Sequence, residues 1–274
     1  MKRLAICLSG QLRQWHLAKE NQKWFWETAE AYGYEEIDYF IHSWTYSADR
    51  AGVTHEYEWR DIPQEEWDEL CEFYQVKNKM FDTRPQSWFY DFDHWSALWY
   101  SFAHSIMMKR KYELENNFQY DLVVKSRPDI IFNPKQVAYF EDVFDNQLYT
   151  THGGEMDHEF GMFNLDDCVF YGNSYTLDML VNMYLFRQKN LDCRFEPVVK
   201  GVLTKEKLCI QQLGPGVLMH EFCREYGITP HLTVRNRSYF QPTLLKLGCP
   251  EDLDLFKPKQ FAKMEKYFRE FYTK

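Results

Sequence analysis

"YDLVVKSRPDIIF" (residues 120–132) decides how the chain is read. Leu122, Val123 and Val124 are apolar, and so are Ile130, Ile131 and Phe132. A short apolar run of this kind reads as a strand buried on both faces. Between the two triplets stand Lys125, Ser126, Arg127, Pro128 and Asp129. Burying three charges without partners is expensive. Pro128 has no N–H to give to a sheet ladder, so regular pairing ends there and Asp129 stands at the strand's end. Two readings of the charges follow. One carboxylate and two cations suit a nucleoside diphosphate, with Asp129 holding Mg²⁺ or Mn²⁺ and Lys125 and Arg127 neutralising phosphate. The alternative is an internal Arg–Asp ion pair at a strand end.

Working outward, "RLAICLSG" (3–10) reads as a buried strand ending in glycine, "HLAKENQKWFWETAEAYG" (16–33) as a helix stopped by Gly33, and "EIDYFIHSW" (36–44) as a second strand. A helix over 63–75 begins with Pro63, and "NKMFD" (78–82) reads as a third strand. The longest helix covers 93–117, with Trp95, Leu98, Phe102 and Ile106 on one face. Such alternation predicts an α/β fold, a Rossmann-type, mostly parallel sheet flanked by helices on both faces. Ligands of these sheets bind outside the carboxyl ends of the strands. If the sheet is parallel, "SGQLRQW" (9–15), "HSW" (42–44) and "KSRPD" (125–129) meet on one edge.

The second half is less regular. Strands are expected at 147–152, 166–172 and 228–239, helices at 173–188 and 217–227, and an amphipathic helix at 258–274 striped by Phe261, Met264, Phe268 and Phe271. No repeat or linker is evident, so the 274 residues read as one domain. Apolar residues make up 45% and aromatics 18%, a globular composition. A net charge of −9 argues against a nucleic-acid partner, since phosphate-backbone binding needs a basic surface. Seven cysteines, odd in number and without CxxC spacing, predict reduced thiols and a cytoplasmic protein. No apolar run approaches the roughly 20 residues of a membrane span.

The remaining motifs are weaker taken singly. In "SGQLRQW" a glycine lets a ligand approach the backbone, the next helix N-terminus attracts anions, and Arg13 offers a donor fork; a plain strand-to-helix turn fits as well. His42 and Trp44 stand at a strand end, where a lone histidine is more often structural. Asp166 and Asp167 precede a strand, and one of them could serve as base toward a hydroxyl. His220 and the alternating Arg235 and Arg237 read as structural or solvated, and Trp88 as core.

Together, "LAICLSGQLRQW", "FIHSW", "MMKRKYELENNFQYDLVVKSRPDIIF" and "DDCVFYGNSYTLDML" resemble a group of bacterial and viral glycosyltransferase-like proteins, similar to the WavE-like families of polysaccharide and lipopolysaccharide synthesis. The shared order is a strand ending SGQ-x-R, then F-x-H-x-W, then a long helix feeding YD-x-V-x-(R/K)-x-R-x-D, then an acid before a glycine. It spans roughly residues 3–185. The resemblance implies a GT-A type transferase using a nucleotide-diphospho-sugar donor and a glycan or lipid-linked acceptor. Residues 1–135 would form its nucleotide-binding half and 136–257 its acceptor-side half.

Residue by residue, Ser9, Gly10, Gln11 and Arg13 would hold the nucleotide, joined by His42, Trp44 and Lys125. Arg127 and Asp129 stand where the family's acidic motif binds metal and diphosphate, making Asp129 the ligand of a divalent cation, Mn²⁺ or Mg²⁺. Asp167 would lie by the acceptor, as catalytic base if the reaction inverts, with Arg127 stabilising the leaving group. The usual D-x-D is absent, because Arg127 occupies the place of its first acid. Two other classes fit the pattern: a non-catalytic nucleotide-sugar binder, and a sugar nucleotidyltransferase. A first loop with one glycine and no lysine argues against the latter.

Overall fold

The computed structural model describes residues 2–13, 15–51, 56–83, 94–132, 140, 142–150, 156–157, 162–163, 165, 167–189, 194–195, 198–199, 202–203, 208–209, 215–232 and 245–246. Asp166, the Trp88 cluster, the Arg235–Arg237 stretch and the expected terminal helix 258–274 lie outside the described residues.

Strands alternate with helices through most of the first half. Strand β1 (Lys2–Ser9) is followed by helix α1 (Trp15–Glu27), β2 (Tyr34–Trp44) and a hairpin of β3 (Tyr46–Ala51) and β4 (Glu56–Asp61). Helix α2 (Gln64–Tyr74), β5 (Asn78–Asp82), the long α3 (His94–Asn116) and β6 (Leu122–Ser126) complete it. Then come β7 (Gln147–Thr150), β8 (Phe170–Gly172), α4 (Ser174–Leu180), α5 (Met183–Lys189), α6 (Pro215–Glu225) and β9 (Thr229–Leu232). A seven-stranded sheet runs β9-β7-β8-β6-β1-β2-β5. Every neighbouring pair is parallel except those made by β8, which runs against both β6 and β7. The expected Rossmann-type α/β plan is therefore present.

The two-residue period of a strand divides the core between the two faces. Leu4, Ile6 and Leu8 of β1, with Leu122 and Val124 of β6, pack beneath α1 and α2. Ala5 and Cys7, with Val123 and Phe170, pack against α3, α4 and α6 on the other face. Such double coverage explains why β1 and β6 read as unbroken apolar runs. Cys7, Cys71, Cys168 and Cys223 are buried free thiols. Among the described residues no helix is long and apolar enough to cross a membrane.

Three elements depart from the sequence reading. The first helix tightens into a 3₁₀ turn at Thr28–Tyr32 before Gly33 ends it in the left-handed region (φ 88°). The expected strand 166–172 is regular only from Phe170, because the carbonyls of Asp167 and Cys168 accept the Lys125 ammonium. The single helix expected over 173–188 is divided at Val181–Asn182.

Helix α3 is buried well beyond the stripe read from its sequence. Trp99, Phe102 and Ile106 are fully buried, whereas Leu98 is only partly so. The helix is covered by the sheet on one side and by α4 and α5 on another. At that second contact Lys109 is fully buried. Its ammonium meets Glu113 at 2.9 Å and Asp178 at 2.8 Å, and also donates to Ser174. Glu113 accepts in turn from Ser174 Oγ and from the Tyr120 backbone N–H at the approach to β6. Removing one member of a buried ionic network leaves the others uncompensated. Lys109→Met is expected to cost about 3–5 kcal/mol of unfolding free energy. Urea denaturation measures it, and a cost below about 1 kcal/mol would contradict the network's role.

Candidate functional site

Strand order places the site. From β1 the chain moves outward to β2 and β5, then returns through α3 to β6 on the other side of β1. The gap between β1 and β6 is thus a topological switch point, the crevice where open parallel sheets take their ligands. Register pairs Leu8 with Ser126 and Ser9 with His42, so the three polar strand ends stand on one carboxyl edge, as expected.

On the β1 side the chain turns at Gly10 with φ 126°, a conformation open to glycine and strained for other residues. A Cβ built there would meet none of the described residues within 4 Å, so the backbone is open toward them. The turn is fixed from β2: Gly10 N–H donates to His42 O, and Ser43 Oγ donates to Gly10 O at 2.8 Å. Gln11 accepts from Arg13 Nε at 3.0 Å, and both side chains are half-buried. Helix α1 begins at Trp15, so the β1–α1 connection brings its N-terminus to this same edge.

On the β6 side Arg127 and Asp129 form a two-pronged pair, Nε to Oδ1 at 2.8 Å and Nη2 to Oδ2 at 2.5 Å. Asp129 is 1% exposed and the Arg127 side chain 16% exposed. Burial is the largest influence and works against the guanidinium's charge, but the Asp129 carboxylate and its hydrogen bonds, together with Cys168 and Asp167, hold the arginine more firmly protonated than usual. The internal ion pair of the second sequence reading therefore exists, and it stands at the mouth of the switch point.

The loop carrying this pair is held by a contact that the sequence reading missed. Gln22 Nε2 donates to the carbonyls of Arg127 (2.8 Å), Pro128 (3.0 Å) and Ile130 (2.8 Å). Asn21 binds Phe132 through both its carbonyl and its N–H. A signal for it was present. Ala18, Asn21, Gln22 and Phe25 are the buried stripe of α1, so two amides occupy helical positions that normally carry apolar residues.

Lys125 is 1% exposed and turns inward to the carbonyls of Asp167 and Cys168. The Cys168 thiol lies between Arg127 Nη1 (3.9 Å) and Asp167 Oδ1 (3.8 Å). Lys125, Arg127, Asp129 and Asp167 are thus one cluster at the end of β6, gathered toward the approach to β8. His42 and Trp44 belong to a different group. They are 0% and 2% exposed, and their rings pack against Tyr100 of α3. His42 Nδ1 meets Ser101 Oγ at 2.8 Å, and Nε2 meets Asp82 Oδ2 at 3.2 Å. Burial pushes the imidazole down to about 4, against the opposing pull of Asp82, so the ring is neutral near pH 7.

The Asp129 carboxylate does not fit a divalent cation in this arrangement. Both oxygens are taken by Arg127, and a cation beside them would face the guanidinium. Among the described residues no group of three or more His, Cys, Asp or Glu side chains is placed to hold a metal.

Two measurements check this geometry. Arg127→Met strands a buried carboxylate and is expected to cost about 3–5 kcal/mol, while Arg127→Met/Asp129→Leu recovers most of it. Additive losses in the double variant would contradict the pair. His42 takes its proton near 6.5 when unfolded and near 4 when folded. Its contribution to stability is therefore complete above pH 6.5 and is lost as pH falls toward 4, on the order of 3 kcal/mol. Unfolding followed from pH 7.5 to 4 shows that decline, and His42→Asn flattens it.

No family model matches the sequence, and no curated protein matches it. Among solved structures, the chain is similar to a glycosyltransferase involved in the glycosylation of the major capsid of PBCV-1, with TM-score 0.33 and 12% identity over 68% of each chain. The functional reading accordingly rests on the site.

Proposed function

We propose that the protein is a glycosyltransferase that moves a sugar, a hexose by class, from a nucleotide-diphospho-sugar to a hydroxyl of a glycan or lipid-linked acceptor, in polysaccharide or lipopolysaccharide synthesis. One observation carries the reading: the open Gly10 turn and the Arg127–Asp129 pair flank the switch point between β1 and β6. Ser9, Gly10, Gln11 and Arg13 take the nucleotide side. Arg127 meets the diphosphate with the N–H groups that Asp129 does not use, and stabilises the charge that develops as the glycosidic bond breaks. Asp129 orients the guanidinium, and Lys125 holds the Asp167–Cys168 turn in place. Asp167 lies beside Arg127 and receives the acceptor hydroxyl, as base where the reaction inverts.

In this scheme Arg127 supplies the positive charge expected of Mn²⁺ or Mg²⁺. A divalent cation would require Asp129 to release Arg127. The saturation of Asp129 also favours a second reading, donor binding without turnover.

A melting-temperature panel of nucleoside diphosphates and nucleotide sugars, with and without Mn²⁺, tests the proposal. A ligand at 100 times its Kd adds about 2.7 kcal/mol. One nucleotide sugar is expected to raise Tm by several degrees without Mn²⁺, and Arg127→Lys, which loses the planar fork, to abolish most of the rise. A wild type indifferent to the whole panel would contradict both readings. Binding without transfer or hydrolysis would select the second.

A further inference from the structure

The polar group at the ends of β2 and β5 has a layered order. His42 is fully buried and cannot touch a ligand directly, while Asp82, the last residue of β5, keeps a third of its side chain exposed. Both ring nitrogens of His42 are engaged, one with Ser101 Oγ of α3 and one with Asp82 Oδ2. The neutral ring that donates Nε2–H to the carboxylate accepts the Ser101 hydroxyl on Nδ1. Tyr100 O–H adds a second donor to the same Asp82 oxygen at 3.3 Å. The other oxygen, Oδ1, takes no hydrogen bond among the described residues. Half-buried Tyr100 and Tyr184, with ring centroids 5.6 Å apart, stand on the α3–α5 side.

A carboxylate gripped through one oxygen and open through the other is pre-set to accept hydroxyl donors. Its position adds to this. Asp82 pairs with Trp44 across β2 and stands on the same carboxyl edge as Ser9, His42 and Ser126. From β6 to β5 is three strand spacings, about 14 Å in all. A ligand whose diphosphate meets Arg127 and which lies along the edge toward β5 directs one of its sugar rings at Asp82. His42 and Tyr100 hold the carboxylate for it from behind.

The geometry points to Asp82 as a ligand-contacting residue that accepts neighbouring hydroxyls of a sugar ring, and to His42 as its positioning residue. This rests on the nucleotide-sugar reading of the Gly10–Arg127 crevice. The diol belongs either to the ribose of the nucleotide or to the transferred sugar, and the chemistry at Asp82 is the same for both.

Calorimetric titration of wild type, Asp82→Asn, His42→Gln and His42→Leu tests it. The probes are the nucleotide sugar that stabilises the wild type best, its nucleoside diphosphate, and the 2′,3′-dideoxy form of that diphosphate. Asp82→Asn is expected to weaken the nucleotide sugar by tenfold or more with Tm changed by only a few degrees. His42→Leu is expected to do the same, while His42→Gln, whose amide replaces the Nε2–H donor, restores affinity to within about threefold. A tenfold loss of the diphosphate as well, matched by weak dideoxy binding to wild type, places the diol on the ribose. A loss confined to the nucleotide sugar places it on the transferred ring.

Wild-type affinity in Asp82→Asn for every probe overturns the inference. So does an Asp82→Asn loss that His42→Leu does not share, or that His42→Gln fails to restore, for the positioning role. If Arg127→Lys loses diphosphate affinity while Asp82→Asn does not, this inference alone falls and the transferase reading stands. A wild type that binds no nucleotide overturns both.

Discussion

Everything at the carboxyl edge depends on how the charges of residues 125–129 are satisfied. An apolar strand that ends in Lys, Arg and Asp inside a doubly covered sheet is affordable only if each charge finds a partner. Lys125 is taken by two backbone carbonyls, and Arg127 and Asp129 take each other. Gln22 and Asn21 then bind the backbone carbonyls and the N–H that the chain exposes where it leaves the ladder at Pro128. The outcome is a guanidinium on rigid support, fixed in orientation before any ligand arrives. Such pre-organisation is what electrostatic stabilisation of a leaving group requires.

The same device recurs two strands away in a neutral form. His42, buried and uncharged, ties the end of β2 to Ser101 on α3 and to Asp82 on β5. In both places a fully buried polar side chain is fastened to a neighbouring element, and a more exposed one faces outward. Along the edge the exposed members are Arg127, Asp167 and Asp82, while Asp129, Lys125 and His42 are the struts. The distinction matters for mutagenesis. Removing Arg127 or Asp129 alone strands the other and costs stability as well as function, whereas Asp82, a third exposed, can be changed with less damage to the fold.

Much of this was legible in the sequence. The unbroken apolar runs of β1 and β6 and the alternation of strands with helices announced a mostly parallel sheet, and the polar ends announced its working edge. What escaped detection had a common physical character. Sequence spacing cannot show that Asp129 is saturated by a residue two positions away, because a carboxylate free for ligand and one already paired leave the same letters. It cannot show that Lys125 turns toward Asp167, a partner 42 residues distant. Nor do the letters show that Lys109 and Glu113, which continue the stripe of Phe102 and Ile106 at helical spacing, are buried there with Ser174 and Asp178 as partners. Asn21 and Gln22 were readable in principle, as amides on an apolar stripe. Asp82 carried no local signal beyond ending a strand.

The claim that the switch point between β1 and β6 is the donor site is tested most directly by a crystal structure grown with a nucleotide sugar. The account predicts the diphosphate between the Gly10 turn and Arg127, with the Arg127–Asp129 pair intact. A ligand seated elsewhere, such as the groove lined by Arg3, Asp38 and Lys77 at the opposite end of the sheet, would contradict it.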